Sequence, residues 1–220
     1  MAIQRAPFLT NPYSGYNHRY VPEDDKELTR VGPGTPAGEY LRRFWHPVAY
    51  AAQLSDVPLA LKIMGEELVC FKDKSGRIGL VEAHCPHRGT SLEYGKIEER
   101  GIRCCYHSWL MDIDGKILET PGEPENSTLK DRLYHGAYPA MELHGLIFTY
   151  MGPLDKMPEF PKFDLFFAPG YRLEANPLSS FATTDADGKV TPMHVPCSWL
   201  QDADNFVDLV HEEFLHSTIS

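Results

Sequence analysis

The sequence predicts a mainly β chain that turns to α+β towards its end. Three observations carry this prediction. Short runs of β-branched and aromatic residues are separated by breakers, with 18 Pro and 17 Gly in 220 residues, the pattern of an all-β domain. A Pro-punctuated stretch, PLDKMPEFPKFDLFFAPG, interrupts the strand pattern near residue 160 and marks a domain junction. Beyond it the last twenty-odd residues mix apolar and acidic positions in the manner of a helix. The chain therefore divides into an arm over 1–40, a β domain over 41–160 and the start of a second domain over 161–220.

Taken in order, residues 1 to about 25 carry Tyr13, Tyr16 and Tyr20 without a period and read as a surface arm. The breaker-rich VGPGTPAG predicts a short helix from Glu39 to Phe44. His46, before a Pro at a strand start, reads as a framework residue. LALKIMG and EELVCFKD read as strands, KSG as a hairpin turn, and RIGLVEAH as the strand that follows. A further hairpin turns at Asp114-Gly115. Asp112-Ile113-Asp114-Gly115 resembles part of a calcium loop, but the remaining ligands are absent, so the turn reading stands. TPGEPENSTLKDRL is a connection, and AYPAMELHGLIFTYMGP reads as strand, Gly turn and strand returning to the first sheet.

Composition limits the functional classes. A net charge of -10 disfavours nucleic acid and anionic membranes as partners. No apolar run approaches the roughly 18 residues of a membrane-spanning helix, and the first twenty residues lack a signal-peptide core. Five cysteines, an odd number, suit a reducing compartment better than a disulfide framework, so a cytoplasmic location is expected. Cys70 and Cys197 read as core or structural thiols.

The chemistry concentrates between His84 and Trp109, which hold three of the five cysteines and three of the ten histidines. Cys85 and His87 form a C-x-H pair, sixteen residues follow, and Cys104 and His107 form a C-x-x-H pair. Zinc accepts two Cys and two His, but each loop here offers one of each, the split that a [2Fe–2S] centre with two Cys on one iron and two His on the other requires. This segment resembles the Rieske motif, including the His-Arg-Gly after the first pair and the Trp after the second that oxygenase members carry. Respiratory members add a disulfide at the positions held here by Thr90 and Tyr106, so the resemblance points to the lower-potential oxygenase and ferredoxin branch. Cys105, beside Cys104, reads as a buried, unreactive thiol.

A second constellation, Asp208, His211 and His216, lies in a predicted helix. Two imidazoles and a carboxylate make the facial triad of non-haem Fe(II) oxygenases. On a regular helix His211 and His216 would stand roughly 140° apart, so a widening or break between them is required if both are to reach one metal. From about residue 30 the chain resembles the large subunit of Rieske non-haem iron aromatic-ring-hydroxylating oxygenases, in particular the phthalate-dioxygenase-like branch. That resemblance implies an all-β Rieske domain followed by the truncated start of a helix-grip (START/Bet v1-like) catalytic domain. It makes His211 and His216 the ligands of a mononuclear Fe(II). Asp208 becomes the bridge between His211 and the cluster ligand His107 of the partner subunit in a homotrimer or hexamer.

The resemblance further implies electrons from NAD(P)H through a ferredoxin or reductase, and O₂ used to hydroxylate or O-demethylate a small aromatic or related substrate. The family's third iron ligand comes well over a hundred residues later than His216, so the sequence reads as a fragment or a truncated product. Asp202, Asp204, Glu212 and Glu213 match no family ligand position and read as a solvated acidic face. The alternatives are a Rieske electron-transfer protein without oxygenase activity and a zinc-stabilised binding module.

Overall fold

A computed structural model of the chain describes residues 11–13, 23–170, 173, 182–184, 190–192 and 196–216. The arm expected over residues 1 to about 25 lies almost wholly outside the described residues. Two short helices come first along the described residues, α1 (Lys26–Thr29) and α2 (Pro36–Leu41). The helix expected over 39–44 thus begins three residues earlier. Thr35 caps it by accepting from the Gly38 amide, and Pro36 occupies the first turn, where a missing N–H costs nothing. His46 Nε2 lies 2.6 Å from the Leu41 carbonyl oxygen, the framework role expected of it.

Eleven strands follow: β1 (Trp45–Tyr50), β2 (Leu59–Ile63), β3 (Glu66–Lys72), β4 (Ile78–Glu82), β5 (Lys96–Ile97), β6 (Ile102–Arg103), β7 (Leu110–Met111), β8 (Ile117–Glu119), β9 (Ala137–Tyr138), β10 (Ala140–Leu143) and β11 (Leu146–Tyr150). They form three antiparallel sheets with orders β2-β3-β4-β9, β5-β6-β7-β8 and β1-β11-β10. The tight turns fall where the breakers predicted them. Gly76 and Gly115 take positive φ, and the β2–β3 and β10–β11 hairpins turn on the pairs Met64-Gly65 and His144-Gly145, with φ positive at both residues of each, as primed hairpin turns require.

The β2-β3-β4-β9 sheet is the middle layer. Val69, Phe71 and Val81 face one core with Leu92, Ile102, Met111, Ile117 and the two cysteines Cys85 and Cys104. Leu68, Cys70, Ile78 and Leu80 face the other with Ala49, Ile147 and Met151. Because residues alternate across a strand, burial on both faces turns LVCF into an unbroken buried run. Gly79 faces Phe71 across the pair, where any Cβ would meet the phenyl ring at 2.5 Å. Each fully buried large apolar side chain contributes about 1.5–3 kcal/mol, against about 0–1 kcal/mol for an exposed ion pair, so the layers dominate stability.

One partly buried polar knot ties the middle layer to the outer sheet of β5 to β8. Asp73, at the end of β3, accepts from Ser75 Oγ (2.7 Å), the Arg77 amide (2.9 Å), Arg77 Nη2 (2.7 Å) and the Gly101 amide (3.3 Å). Asp112 accepts from Arg77 Nη2 (2.8 Å), Arg100 and the Ile113 amide (2.9 Å). The sequence Asp112 to Gly115 is a hairpin turn, with the Gly115 amide donating to the Asp112 carbonyl. Helices α3 (Leu129–Arg132) and α4 (Asp164–Phe167) lie on the connections. The last part holds the antiparallel pair β12 (Ala182–Thr184) and β13 (Val190–Pro192), then α5 (Trp199–Val207), α6 (Leu209–His211) and a π-helical turn over Glu212–His216. Among the described residues no helix is long and apolar enough to cross a membrane.

Burial alone would raise the Asp112 carboxyl, but the Ile113 amide and the Arg100 and Arg77 guanidiniums hold it below its ordinary 3.8. A depressed carboxyl stabilises the fold above the unfolded pKa, and that contribution is lost as pH falls through the lower folded value. Asp112→Asn is therefore expected to destabilise the chain by about 1–3 kcal/mol at neutral pH. The gap to the parent should close progressively below about pH 4, as read by thermal denaturation across pH.

Candidate metal centres

Two loops with the same backbone scheme bring the first donor set together. In the loop after β4 the Cys85 amide donates to the Thr90 carbonyl (2.9 Å) and the Gly89 amide to the Cys85 carbonyl (2.9 Å). In the loop after β6 the Cys104 amide donates to the Trp109 carbonyl (2.8 Å) and the Ser108 amide to the Cys104 carbonyl (3.1 Å). Gly89 and Ser108 occupy the same position of the scheme, with φ of 70° and 60°, a conformation that glycine adopts freely and serine does not. Arg103 braces the second loop, its Nη1 donating to the Ser108 carbonyl at 2.9 Å while Nε meets Glu98 and Nη1 meets Glu119.

The donors divide by depth. Cys85 and Cys104 are 3% and 2% exposed, whereas His87 is half-buried and His107 exposed. The two imidazoles stand 4.5 Å apart between ring centroids. Trp109 lies parallel to His87 at 4.8 Å, and Tyr106 packs on His107 at 3.8 Å, so each imidazole is held by an aromatic neighbour. His87 Nδ1 is buried without a hydrogen-bond partner, an orphan that a metal would satisfy. Burial, then the neighbouring Cys104, pushes the Cys85 thiol up to about 11, against the pull of the His87 and Arg88 amides. A cation in the pocket would reverse that balance, because a coordinating thiol is deprotonated. Two buried sulfurs and two outer imidazoles fit a cluster whose iron atoms have different ligands.

The other cysteines are sorted by the fold. Cys70 is in the core of the middle sheet, where burial pushes its thiol up to about 12. Cys105 is exposed, correcting the expectation of a buried thiol: it directly follows a buried ligand position in a tight loop, so the adjacent side chain leaves for solvent. Cys197 is exposed too, because it precedes the start of α5 rather than packing under Trp199, itself 39% exposed. All five cysteines are free, with no disulfide clamp on the cluster loops.

The second donor set is assembled by an irregular backbone. Asp208 separates α5 from α6 and caps the latter, its Oδ1 accepting from the Val210 amide at 3.0 Å. The wide π turn that follows lets residues five apart share a face, and the His211 and His216 rings meet with centroids 5.5 Å apart. The widening required by the sequence is present. Asp208 Oδ2 lies 3.8 Å from His211 Nδ1, a buried nitrogen without a hydrogen bond. Asp202, Asp204 and Glu213 are exposed, as expected of a solvated face. Glu212, although exposed, belongs with the two histidines: one donor atom from each of His211, Glu212 and His216 lies within 4.8 Å of the others.

Residues 44–137 match the family described as the Rieske [2Fe-2S] domain. Over 212 residues the chain is 46% identical to the tert-butanol monooxygenase / tert-amyl alcohol desaturase oxygenase subunit of Aquincola tertiaricarbonis. Over 217 residues it is 44% identical to the phenoxybenzoate dioxygenase subunit alpha of Ectopseudomonas oleovorans. The chain thus contains a match to the Rieske [2Fe-2S] domain and is similar to oxygenase subunits over nearly its whole length. These alignments take in 94% and 97% of the chain and 42% and 52% of the two relatives, so it spans about half the length of the curated relatives it matches. The solved structure of dicamba monooxygenase bound to 3,6-dichlorosalicylic acid shares the fold, with a TM-score of 0.63 over 80% of this chain and 48% of that one at 23% identity.

For this Rieske protein, Cys104→Ser is expected to abolish the visible absorbance and electron paramagnetic resonance (EPR) signal of the [2Fe–2S] cluster, while Cys105→Ser leaves both intact. Iron and sulfide analysis of the two variants checks this assignment. A cluster surviving in Cys104→Ser and lost in Cys105→Ser would exchange the roles of the two thiols.

Proposed function

We propose that the chain carries the redox and iron-binding parts of an oxygenase component. In this reading Cys85, His87, Cys104 and His107 hold the [2Fe–2S] cluster, and His211 and His216 hold a mononuclear Fe(II). When bound, the cluster supplies one-electron transfer, and the Fe(II) supplies O₂ activation for hydroxylation or oxidative O-demethylation of a small aromatic or related substrate. NAD(P)H would provide the electrons through a ferredoxin or reductase. The observation that carries the proposal is the presence of both donor sets in one chain, with the π turn drawing His211 to His216.

The protein's own residues position and shield. Burial of Cys85 and Cys104 keeps water from the sulfur side, whereas exposed His107 offers the route in and out. Trp109 fixes the plane of His87 by stacking. Asp208 faces His211 Nδ1 at 3.8 Å, placed to orient the imidazole as carboxylate partners of metal-bound histidines do. In a homotrimer or hexamer the exposed Asp208 would also meet His107 of the partner subunit, linking the two sites. The free cysteines are compatible with a reducing cytoplasm.

His211→Ala should leave the cluster spectrum unchanged while removing the mononuclear iron and all product formation. Asp208→Asn should retain both metals and lower coupled O₂ consumption by about 10–100-fold. Product formation at the parental rate in His211→Ala would defeat the oxygenase reading, and full turnover in Asp208→Asn would remove the bridge.

A further inference from the structure

We propose that Arg103 is a positioning residue for both cluster imidazoles, acting through the Ser108 peptide, and that the second loop needs it because residue 108 is not glycine. The inference rests on the reading that Cys85, His87, Cys104 and His107 hold the cluster. Ser108 lies between His107 and Trp109 in the chain, and Trp109 stacks parallel on His87 at 4.8 Å. The conformation of this one residue therefore sets one imidazole directly and the other through the indole. Its φ is 60°, in the region that L residues disfavour because Cβ crowds the following carbonyl oxygen. Gly89 takes a φ of 70° at the equivalent place in the first loop, free of that crowding.

Arg103 is itself held in a way that lets it hold the strained peptide. It ends β6, paired with Lys96 of β5 on one side and Leu110 of β7 on the other, so its backbone is fixed from both edges. Its Nη1 donates to the Ser108 carbonyl at 2.9 Å and lies 2.9 Å from Glu119 Oε2 at the end of β8. Its Nε donates to Glu98 Oε1 at 3.2 Å, and Lys96 Nζ stands 3.2 Å from that same oxygen. A guanidinium is planar with donors in a rigid fork, so carboxylates on Nε and Nη1 set its plane and with it the direction of the bond to Ser108. The two carboxylates also offset its charge, which leaves geometry as its main effect on the cluster. A flip of Ser108 out of the left-handed region would break the bond from Nη1 and turn His107 relative to Trp109.

The test compares variants of the cluster-loaded 220-residue chain by the EPR g values and reduction potential of the cluster and by the rate at which a ferrous chelator bleaches its absorbance. Arg103→Gln should shift the g values and the potential and speed bleaching about fivefold or more, the scale of one left-handed residue left without its hold. Adding Ser108→Gly to Arg103→Gln should return the g values and potential to the parental ones and slow the bleaching, because glycine keeps the turn unaided. Asp112→Asn, which weakens the fold elsewhere, should leave g values and potential parental. Parental g values and potential in Arg103→Gln would overturn the proposal and leave the cluster ligands standing. So would a double variant that stays as altered as Arg103→Gln or holds no cluster, or an equal spectral shift in Asp112→Asn. A parent chain without a Rieske signal would overturn the cluster reading as well.

Discussion

The β3–β4 hairpin is buried on both faces, and the rest of the structure depends on it. Its alternate residues supply two cores, and the strand pair cannot shift by one residue without exchanging every side chain between them. β4 runs directly into Cys85, while the Asp73–Arg77–Asp112 knot fixes the end of β3 to the sheet that carries Cys104. The two halves of the first donor set are therefore placed by the same strand pair. Both cysteines are members of the core. Metal binding at such a position is coupled to folding, since the unfolded chain has no preformed site.

Depth then determines direction. The sulfur side of the first site faces apolar packing, and the imidazole side faces solvent. In the proposed function an electron partner would approach the imidazole side, where the two rings are held by Trp109 and Tyr106. The matching amide-to-carbonyl bonds of the two loops make this division reproducible, because each cysteine is fixed by its own backbone and the histidine is left at the loop's outer turn. Ser108 keeps the scheme in the second loop at the cost of a left-handed conformation, where the first loop uses glycine.

What could be read from the sequence followed the range of the physics involved. The first donor set was legible because two short loops specify it by residue type and spacing, and the hairpins because Gly76, Gly115 and Gly145 mark their turns. The three-layer arrangement was not, since an apolar run such as LVCF reads the same whichever sheets cover it. Thr35-Pro36 is a helix-start signal hidden among breakers, which is why the start of α2 was placed too late. Cys105 and Cys197 were placed inside on the general tendency of cysteine to be buried, but loop geometry and the start of α5 decided otherwise. The spacing of His211 and His216 showed that the helix had to widen, yet no residue type encodes a π turn, so where the widening falls was not legible.

The two sites are supported in opposite ways. Around Cys85 and Cys104 the apolar residues are inside, whereas Phe206, Val207, Leu209, Val210, Phe214 and Leu215 are all 58–79% exposed. The segment bearing the second donor set thus draws little on the burial that holds the first. A π turn is rare and persists where something compensates its strain. Here the turn brings the His211 and His216 rings to 5.5 Å between centroids, and in the proposed function a shared metal would supply that compensation. Within the described residues, that turn is set by the Asp208 cap and the change of winding after His211 rather than by burial.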